Sequence, residues 1–267
     1  MTKVFAPGYE QDESGWYRFP SDVTYRRQMF PHFTMQDHPA KANTFLVEEI
    51  VRYVSEPNET VCDIMAGSGT IMIAALNLGR NVVMMELEKV FIDLILKGIS
   101  TLNDIAPGIA EAINLFPGSC AKILPIPGLF DHVIYSPPYS SIFKKKNIDK
   151  FTEELQGGDA FLKYSDDPEN FGNYSEFLFF QKCELLHKKV LASLPSGGTL
   201  TIVIKDHMAK RERVFLGQRL YDNCIQMGFV LKDWFKWKPP GSAYLGIKRA
   251  RGEEVVNDED IIIVRRP

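Results

Sequence analysis

A polar corner follows one of the most apolar segments of the chain. Residues 131–135, DHVIY, are typical of a buried strand, and Ser136, Pro137, Pro138 and Tyr139 come directly after them. Proline cannot donate to a sheet ladder, so the two prolines end the strand and hold the next backbone stiff. The corner therefore presents a hydroxyl, a fixed carbonyl and a ring at a strand end, where open α/β sheets place their chemistry. A surface turn or a proline-rich docking peptide fits the same residues.

A glycine turn marks a second candidate site. Residues 63–70, DIMAGSGT, join an apolar strand to a helix, and Glu86 ends the next predicted strand. Glycines let a ligand approach the backbone, and an acid at the position of Glu86 can accept both hydroxyls of a ribose. The turn lacks the Gly-Lys-Ser/Thr of a phosphate loop, and Met72 replaces the third glycine of a dinucleotide loop. A small nucleoside cofactor remains, with a plain tight turn and an exposed acid as the structural alternatives.

Strands and helices alternate around both motifs. Apolar periodicity predicts strands at 60–65, 81–87, 112–116, 131–135 and 199–205, and helices at 41–54, 71–79, 88–103, 174–194 and 212–226. Such alternation favours a parallel sheet with right-handed crossovers. Segments 229–237 and 260–266 alternate like two antiparallel strands. The predicted fold class is therefore α/β, with a mostly parallel sheet and an antiparallel C-terminal hairpin.

The chain of 267 residues is predicted to form one domain, because it shows no internal repeat or low-complexity tract. Residues 1–37 are aromatic and turn-rich and are predicted to form an irregular arm. Residues 140–173 are polar and aperiodic, which is typical of a lid or an inserted target-recognition segment.

The composition excludes several classes of protein. A net charge of −3 gives no global basic signature, so any nucleic-acid site is a local patch. The four cysteines form no CxxC pair and the five histidines show no metal-ligand spacing, so we expect no metal. Because no apolar run reaches membrane-spanning length and no signal peptide precedes the domain, we expect a cytoplasmic protein without a membrane partner.

Together these motifs resemble those of the S-adenosylmethionine-dependent amino-methyltransferases of DNA, which modify cytosine N4 or adenine N6. HPAK at 38–41, DIMAGSGT, Glu86 and SPPY occur in order, and the likeness extends from about residue 30 to the C-terminus. The resemblance implies a Rossmann-like class I methyltransferase fold, S-adenosylmethionine as cofactor and DNA as partner. Serine at the first position of the tetrapeptide is usual for cytosine-N4 enzymes. We therefore expect a site-specific DNA methyltransferase that flips its target base, with cytosine N4 favoured over adenine N6.

The resemblance also assigns roles to single residues. The Ser136 side chain and the Pro137 carbonyl accept hydrogen bonds from the base amine, Pro138 stiffens the corner, and Tyr139 stacks on the flipped base. Glu86 binds the ribose diol. The other implied cofactor residues are His38, Pro39, Asp63, Met65, Ala66, Gly67, Ser68, Gly69, Thr70, Leu87 and Ser119.

Two departures from the family pattern concern the cofactor pocket. Ile64 and Met65 stand where the family commonly has Pro and Phe, and Gly118-Ser119 stands where a Gly-Asp pair often holds the adenine amine. A serine hydroxyl is a weaker acceptor than a carboxylate, so we expect a weaker hold on adenine from this position.

Basic residues offer candidate contacts to phosphates. Lys144, Lys145 and Lys146 lie in the insertion, Lys205 ends a predicted strand, and Arg211 lies in a second cluster with Lys210 and Arg213. A third cluster comprises Lys248, Arg249 and Arg251. Such charge runs are as often solvated faces.

Two other functions fit the sequence. An RNA base amino-methyltransferase is one, since related tetrapeptides occur on RNA enzymes. A non-catalytic methyltransferase-like subunit is the other: the intact SPPY and GSGT argue against it, whereas Ser119 and the acidic pI near 6.0 leave it open. The chain has no room for a large target-recognition domain, so we expect short or relaxed sequence specificity, or a partner that supplies it. We expect a monomer or homodimer in a restriction-modification setting.

Overall fold

The computed structural model describes residues 3–29, 42–138, 165–209, 212–240 and 243–267. Its strands are β1 (Thr60–Asp63), β2 (Asn81–Glu86), β3 (Ile113–Pro117), β4 (His132–Tyr135), β5 (Thr199–Ile204), β6 (His207–Ala209), β7 (Glu212–Val214), β8 (Val230–Trp237) and β9 (Glu259–Arg265). Its α-helices are α1 (Val23–Met29), α2 (Thr44–Val54), α3 (Thr70–Asn77), α4 (Lys89–Ile105), α5 (Cys120–Ile123), α6 (Glu176–Ser193), α7 (Leu216–Gln226) and α8 (Ala243–Ala250).

Seven of these strands form one sheet in the order β3-β2-β1-β4-β5-β9-β8. Five neighbouring strands of this sheet, β3, β2, β1, β4 and β5, are parallel to one another. Strand β9 pairs antiparallel with both β5 and β8. The predicted fold class is therefore confirmed. Strand order reverses between β1 and β4, and ligands of open α/β sheets bind at such a reversal.

Apolar side chains on the two faces of the sheet fill two cores. Successive residues of a strand point to opposite faces. Val61, Met84 and Ile134 accordingly pack with helices α2, α3 and α4. Cys62, Val133 and Tyr135 face the other core, with α6 and α7. Strands buried on both sides need the near-continuous apolar runs that the sequence has.

Local capping sets where two of the helices begin. The Asn43 side chain accepts a hydrogen bond from the Leu46 N–H at the start of α2. The Ser175 side chain does the same for the Leu178 N–H at the start of α6. Each cap satisfies an amide that has no partner within its helix.

Two predicted elements differ from the structure. Residues 212–214 are not helical; they form β7, which pairs with β6, and the helix begins at Leu216. The Arg213 guanidinium bridges Asp206 and Asp258, which holds this hairpin in place. The N-terminal arm is not wholly irregular, because it contains α1 and because Tyr17 exchanges backbone hydrogen bonds with β8.

Candidate active site

Two strand ends meet at the reversal of strand order. β1 and β4 are parallel neighbours, with Cys62 beside Val133. Parallel strands that are paired in register end at the same edge of a sheet. The glycine turn after Asp63 and the corner that begins at Ser136 therefore leave the sheet side by side.

Backbone geometry shapes the glycine turn. Gly67 and Gly69 have φ values of +54° and +79°, which L side chains rarely adopt. A Cβ on Gly69 would also lie 3.1 Å from Cγ1 of Ile95. The Ala66 N–H donates to the Met85 carbonyl at 3.0 Å, which ties the turn to β2. Ala66, Ser68 and Thr70 are buried, and the turn leads into α3.

The carboxylate of Glu86 is buried at the end of β2 and holds the turn. Its Oε2 accepts a hydrogen bond from the Gly67 N–H at 2.6 Å and its Oε1 accepts one from the Glu88 N–H at 2.8 Å. Burial raises the pKa of Glu86 to about 7, although these backbone donors oppose the shift. The Leu87 N–H also hydrogen-bonds to this carboxyl, and a carboxylate offers about four acceptor positions, so capacity remains for a ribose hydroxyl. Leu87, next in the chain, is half-buried.

Asp63 closes the same turn from the end of β1. Its Oδ1 accepts a hydrogen bond from the Met65 N–H at 3.0 Å. Burial raises the pKa of Asp63 to about 7; the Met65 hydrogen bond lowers it and the charge of Glu86 raises it further. Asp63 therefore supports the turn, and Met65 is half-buried beside it.

A segment from later in the chain packs against the β2 and β3 ends. The buried Glu88 accepts hydrogen bonds at Oε1 from the Ser165 N–H (3.1 Å), the Ser165 hydroxyl (3.0 Å) and the Asn170 amide (2.8 Å). The Ser119 hydroxyl donates to Oε2 of Glu169 at 3.1 Å. The sequence motifs did not assign a role to Glu88, Glu169 or Asn170, because these contacts join residues that are 50 to 82 positions apart in sequence.

The corner after β4 combines an exposed and a buried residue. Ser136 is exposed, Pro137 is buried and Pro138 is half-buried. Tyr135, which precedes them, is fully buried, and its hydroxyl lies 2.5 Å from Nε2 of His187. Burial lowers the pKa of His187 to about 3, so the ring is neutral and shares a hydrogen bond with the Tyr135 hydroxyl. His187 Nδ1 lies 3.4 Å from Sγ of Cys224, which continues this chain of contacts.

Several predicted site residues lie outside the described part of the chain: His38, Pro39, Tyr139, Lys144, Lys145, Lys146 and Arg211. Lys205 is half-buried just after β5. Burial raises the pKa of Glu259, and the charge of Lys205 opposes that shift. The role of Lys205 in nucleic-acid binding stays a prediction.

A family model described as DNA methylase matches residues 9–97 and 130–266, which is most of the chain. The chain belongs to the DNA methylase family. The matched residues include the glycine turn, Glu86 and the corner after β4, so the family pattern spans the neighbouring ends of β1 and β4.

Solved structures share the fold of this chain. TrmN from Thermus thermophilus is 15% identical and matches with a TM-score of 0.52, over 92% of this chain and 53% of that one. A SAM-dependent methyltransferase from Methanosarcina mazei is 11% identical and also has a TM-score of 0.52, over 81% of this chain and 96% of that one. The fold is that of class I methyltransferases, and S-adenosylmethionine is the cofactor that this fold implies.

A curated relative matches over a short segment. The Type II methyltransferase M.BglI of Bacillus subtilis is 35% identical over 65 residues, which are 24% of this chain and 19% of that protein. The chain thus aligns with about a fifth of the length of this relative.

The residues around the glycine turn fit the cofactor. The turn admits a ligand close to its backbone, and the Glu86 carboxyl beside it keeps acceptor capacity. Within the described ranges, no group of three or more His, Cys, Asp or Glu residues is arranged to hold a metal ion. Among the described helices, none is both long and apolar enough to cross a membrane.

Proposed function

We propose that this DNA methylase transfers a methyl group from S-adenosylmethionine to the exocyclic amine of a DNA base, with cytosine N4 favoured over adenine N6. The observation that carries the proposal is the pairing of β1 with β4, which brings the glycine turn and the Ser136 corner to the same edge of the sheet. A methyl donor held by one strand end can then lie against an amine held by the other.

The cofactor side is assigned to the residues around the glycine turn. Glu86 accepts the ribose hydroxyls through the acceptor capacity that its carboxyl keeps, while Gly67 and Gly69 leave room for the ligand. Asp63 keeps the turn in shape through the Met65 N–H. When bound, S-adenosylmethionine supplies an electrophilic methyl group on a sulfonium, so no covalent intermediate with the protein is needed.

The target side is assigned to the corner after β4. The lone pair of a base amine is delocalised into the ring, which makes the amine a poor nucleophile. Hydrogen bonds from the amine to the Ser136 hydroxyl oxygen and the Pro137 carbonyl favour a more pyramidal nitrogen whose lone pair is available. The two prolines and the buried Tyr135 hold this carbonyl fixed, so little reorganisation is needed in the transition state. Alignment of amine and methyl group accounts for roughly 7–11 kcal/mol of barrier lowering in favourable cases.

Access to the amine requires the base to leave the duplex. Flipping costs a few kcal/mol, which stacking on Tyr139 and edge hydrogen bonds offset. Serine at position 136 favours cytosine as the target. Residues 140–173, with Lys144, Lys145 and Lys146, are proposed to contact the DNA, together with Lys205 and Arg211.

Mass spectrometry of nucleosides tests this proposal. Unmethylated double-stranded DNA and RNA of mixed sequence are incubated with the full chain and methyl-labelled cofactor, then digested. Label in N4-methylcytosine from DNA is the expected result. Label in N6-methyladenine would move the target to adenine, and label in RNA alone would favour the RNA enzyme. The absence of label from both polymers would contradict the proposal.

A further inference from the structure

The end of β3 carries a polar contact that the proposed reaction does not yet use. β3 is the outer neighbour of β2, and Ser119 follows it at the start of α5. In the proposed function the methyl group lies toward β4 and the ribose lies on Glu86 at the end of β2, so a base on that ribose continues along the sheet toward β3. The Ser119 hydroxyl and the carboxylate of Glu169, 3.1 Å apart, are therefore the polar groups described at the end where the base would lie.

The backbone around Glu169 is held in place before any ligand binds. The Glu169 N–H donates to Oδ1 of Asp167 at 2.7 Å, and the Asn170 N–H donates to the Asp167 carbonyl at 3.0 Å. The Asn170 side chain is buried and donates to Glu88. The segment that carries Glu169 is thus anchored to Glu88, which lies two positions after Glu86.

The carboxylate of Glu169 retains acceptor capacity. Its side chain is 23% exposed, and Ser119 occupies one acceptor position on Oε2. Lys122 lies 3.7 Å from Oε1, but its side chain is 72% exposed, so this ion pair is weak. An ionised carboxylate offers about four acceptor positions, which leaves room for an amine donor.

We propose that Glu169 recognises the adenine of the cofactor by accepting a hydrogen bond from its exocyclic amine, with Ser119 orienting the carboxylate. This inference rests on the proposed function only in taking S-adenosylmethionine as the cofactor. It also accounts for a serine at position 119, because Glu169 from a distant segment supplies the carboxylate there.

Calorimetric titration of the full chain tests the proposal by comparing two ligands. One is S-adenosylhomocysteine, and the other is its 6-deamino analogue, in which the purine C6 carries hydrogen. A charge-assisted hydrogen bond predicts that the wild type prefers the adenine ligand by roughly tenfold to a hundredfold. Glu169→Gln should reduce this preference by about tenfold, since the charge is lost. Asp166→Asn, an exposed acid in the same turn, is the matched control and should keep the preference.

The outcomes separate this inference from the proposed function. If Glu169→Gln weakens both ligands equally, Glu169 only holds the structure together and the inference is overturned, while the proposed function stands. If the wild type binds neither ligand, the proposed function falls and this inference falls with it. Should Glu169→Gln fail to fold, Ser119→Ala replaces it; about a fivefold smaller preference is expected, and an unchanged preference would overturn the inference.

Discussion

The two sides of the crevice differ in the chemistry that they present. On the side of β1, β2 and β3, the carboxylates of Asp63, Glu86 and Glu88 are held by backbone N–H groups. On the side of β4, Ser136 and Pro137 offer neutral oxygens, braced from behind by Tyr135 and His187. One side is a cradle of hydrogen-bonded carboxyl groups and the other is a stiff neutral corner.

The two proposed tasks, cofactor binding and activation of the base amine, fall to different sides because of this difference. A cradle of carboxyl groups suits the binding of a ligand with several hydroxyl and amine donors. The base amine has to become more nucleophilic without being held in an ion pair once it carries the methyl group. A neutral acceptor with fixed geometry suits this task. Substitutions on the cradle should therefore change cofactor affinity, and substitutions on the corner should change the rate.

A substitution in the corner after β4 should change the rate of methyl transfer more than any other substitution proposed below. Ser136→Ala removes one acceptor from the amine, and we expect the rate of methyl transfer at saturating cofactor to fall about 10²-fold. The affinity for S-adenosylhomocysteine should stay within about twofold of wild type, because the cradle is intact. Single-turnover kinetics and calorimetry measure the two quantities. Ser196→Ala, at an exposed serine just before β5, is the control; a loss of affinity in Ser136→Ala without a loss of rate would break the comparison.

The next effect is on the cradle. Glu86→Gln removes the charge that the ribose hydroxyls are proposed to contact, so affinity for S-adenosylhomocysteine should fall roughly tenfold to a hundredfold. The rate at saturating cofactor should change much less. Glu184→Gln, an exposed acid on α6, serves as the control for the calorimetric measurement. Unchanged affinity would show that the ribose does not lie on Glu86.

A smaller effect is expected behind the corner. Tyr135→Phe removes the hydroxyl that is hydrogen-bonded to the buried, neutral His187 and leaves its Nε2 without that partner. The free energy of unfolding should fall by about 1–3 kcal/mol, measured by urea denaturation. Replacing His187 by Phe as well removes both partners and should recover part of the loss. Equal losses in the single and the double variant would argue against this hydrogen bond.

The smallest effect is a pH dependence confined to the cradle. Burial raises the pKa of Glu86 to about 7, so the carboxylate is largely protonated at pH 6 and largely charged at pH 8. The charged form is the better acceptor, and affinity for S-adenosylhomocysteine should rise about three- to tenfold over that range. Calorimetry at both pH values measures it, and Glu86→Gln should flatten the profile. A profile that is already flat in the wild type would contradict the assigned role.

Much of the sheet and the cradle could be predicted from sequence because their signals are local. The apolar strands β1 and β2, the glycine turn at 63–70 and Glu86 at the end of β2 all lie within about 30 residues of one another. The carboxyl ends of consecutive parallel strands share one edge, so residues near in sequence are also near in space.

Other features depend on contacts that no local pattern carries. Glu88 and Ser165 are 77 residues apart in sequence, and Ser119 and Glu169 are 50 apart. The same holds for residues 212–214, whose helical pattern is overridden by the ion pairs of Arg213 with Asp206 and Asp258. The family resemblance predicts that Ser119 lies in the cofactor pocket, and the structure shows a carboxylate, that of Glu169, hydrogen-bonded to it.

The cradle and the corner are proposed to face one shared crevice at the carboxyl ends of β1 and β4. A bisubstrate analogue that joins the adenosyl group to cytosine N4 through a short linker tests it in one calorimetric titration. We predict that the wild type binds this analogue at least about tenfold more tightly than S-adenosylhomocysteine, because the second contact is intramolecular. Ser136→Ala should abolish that gain. Equal affinity for the two ligands in the wild type would contradict the claim.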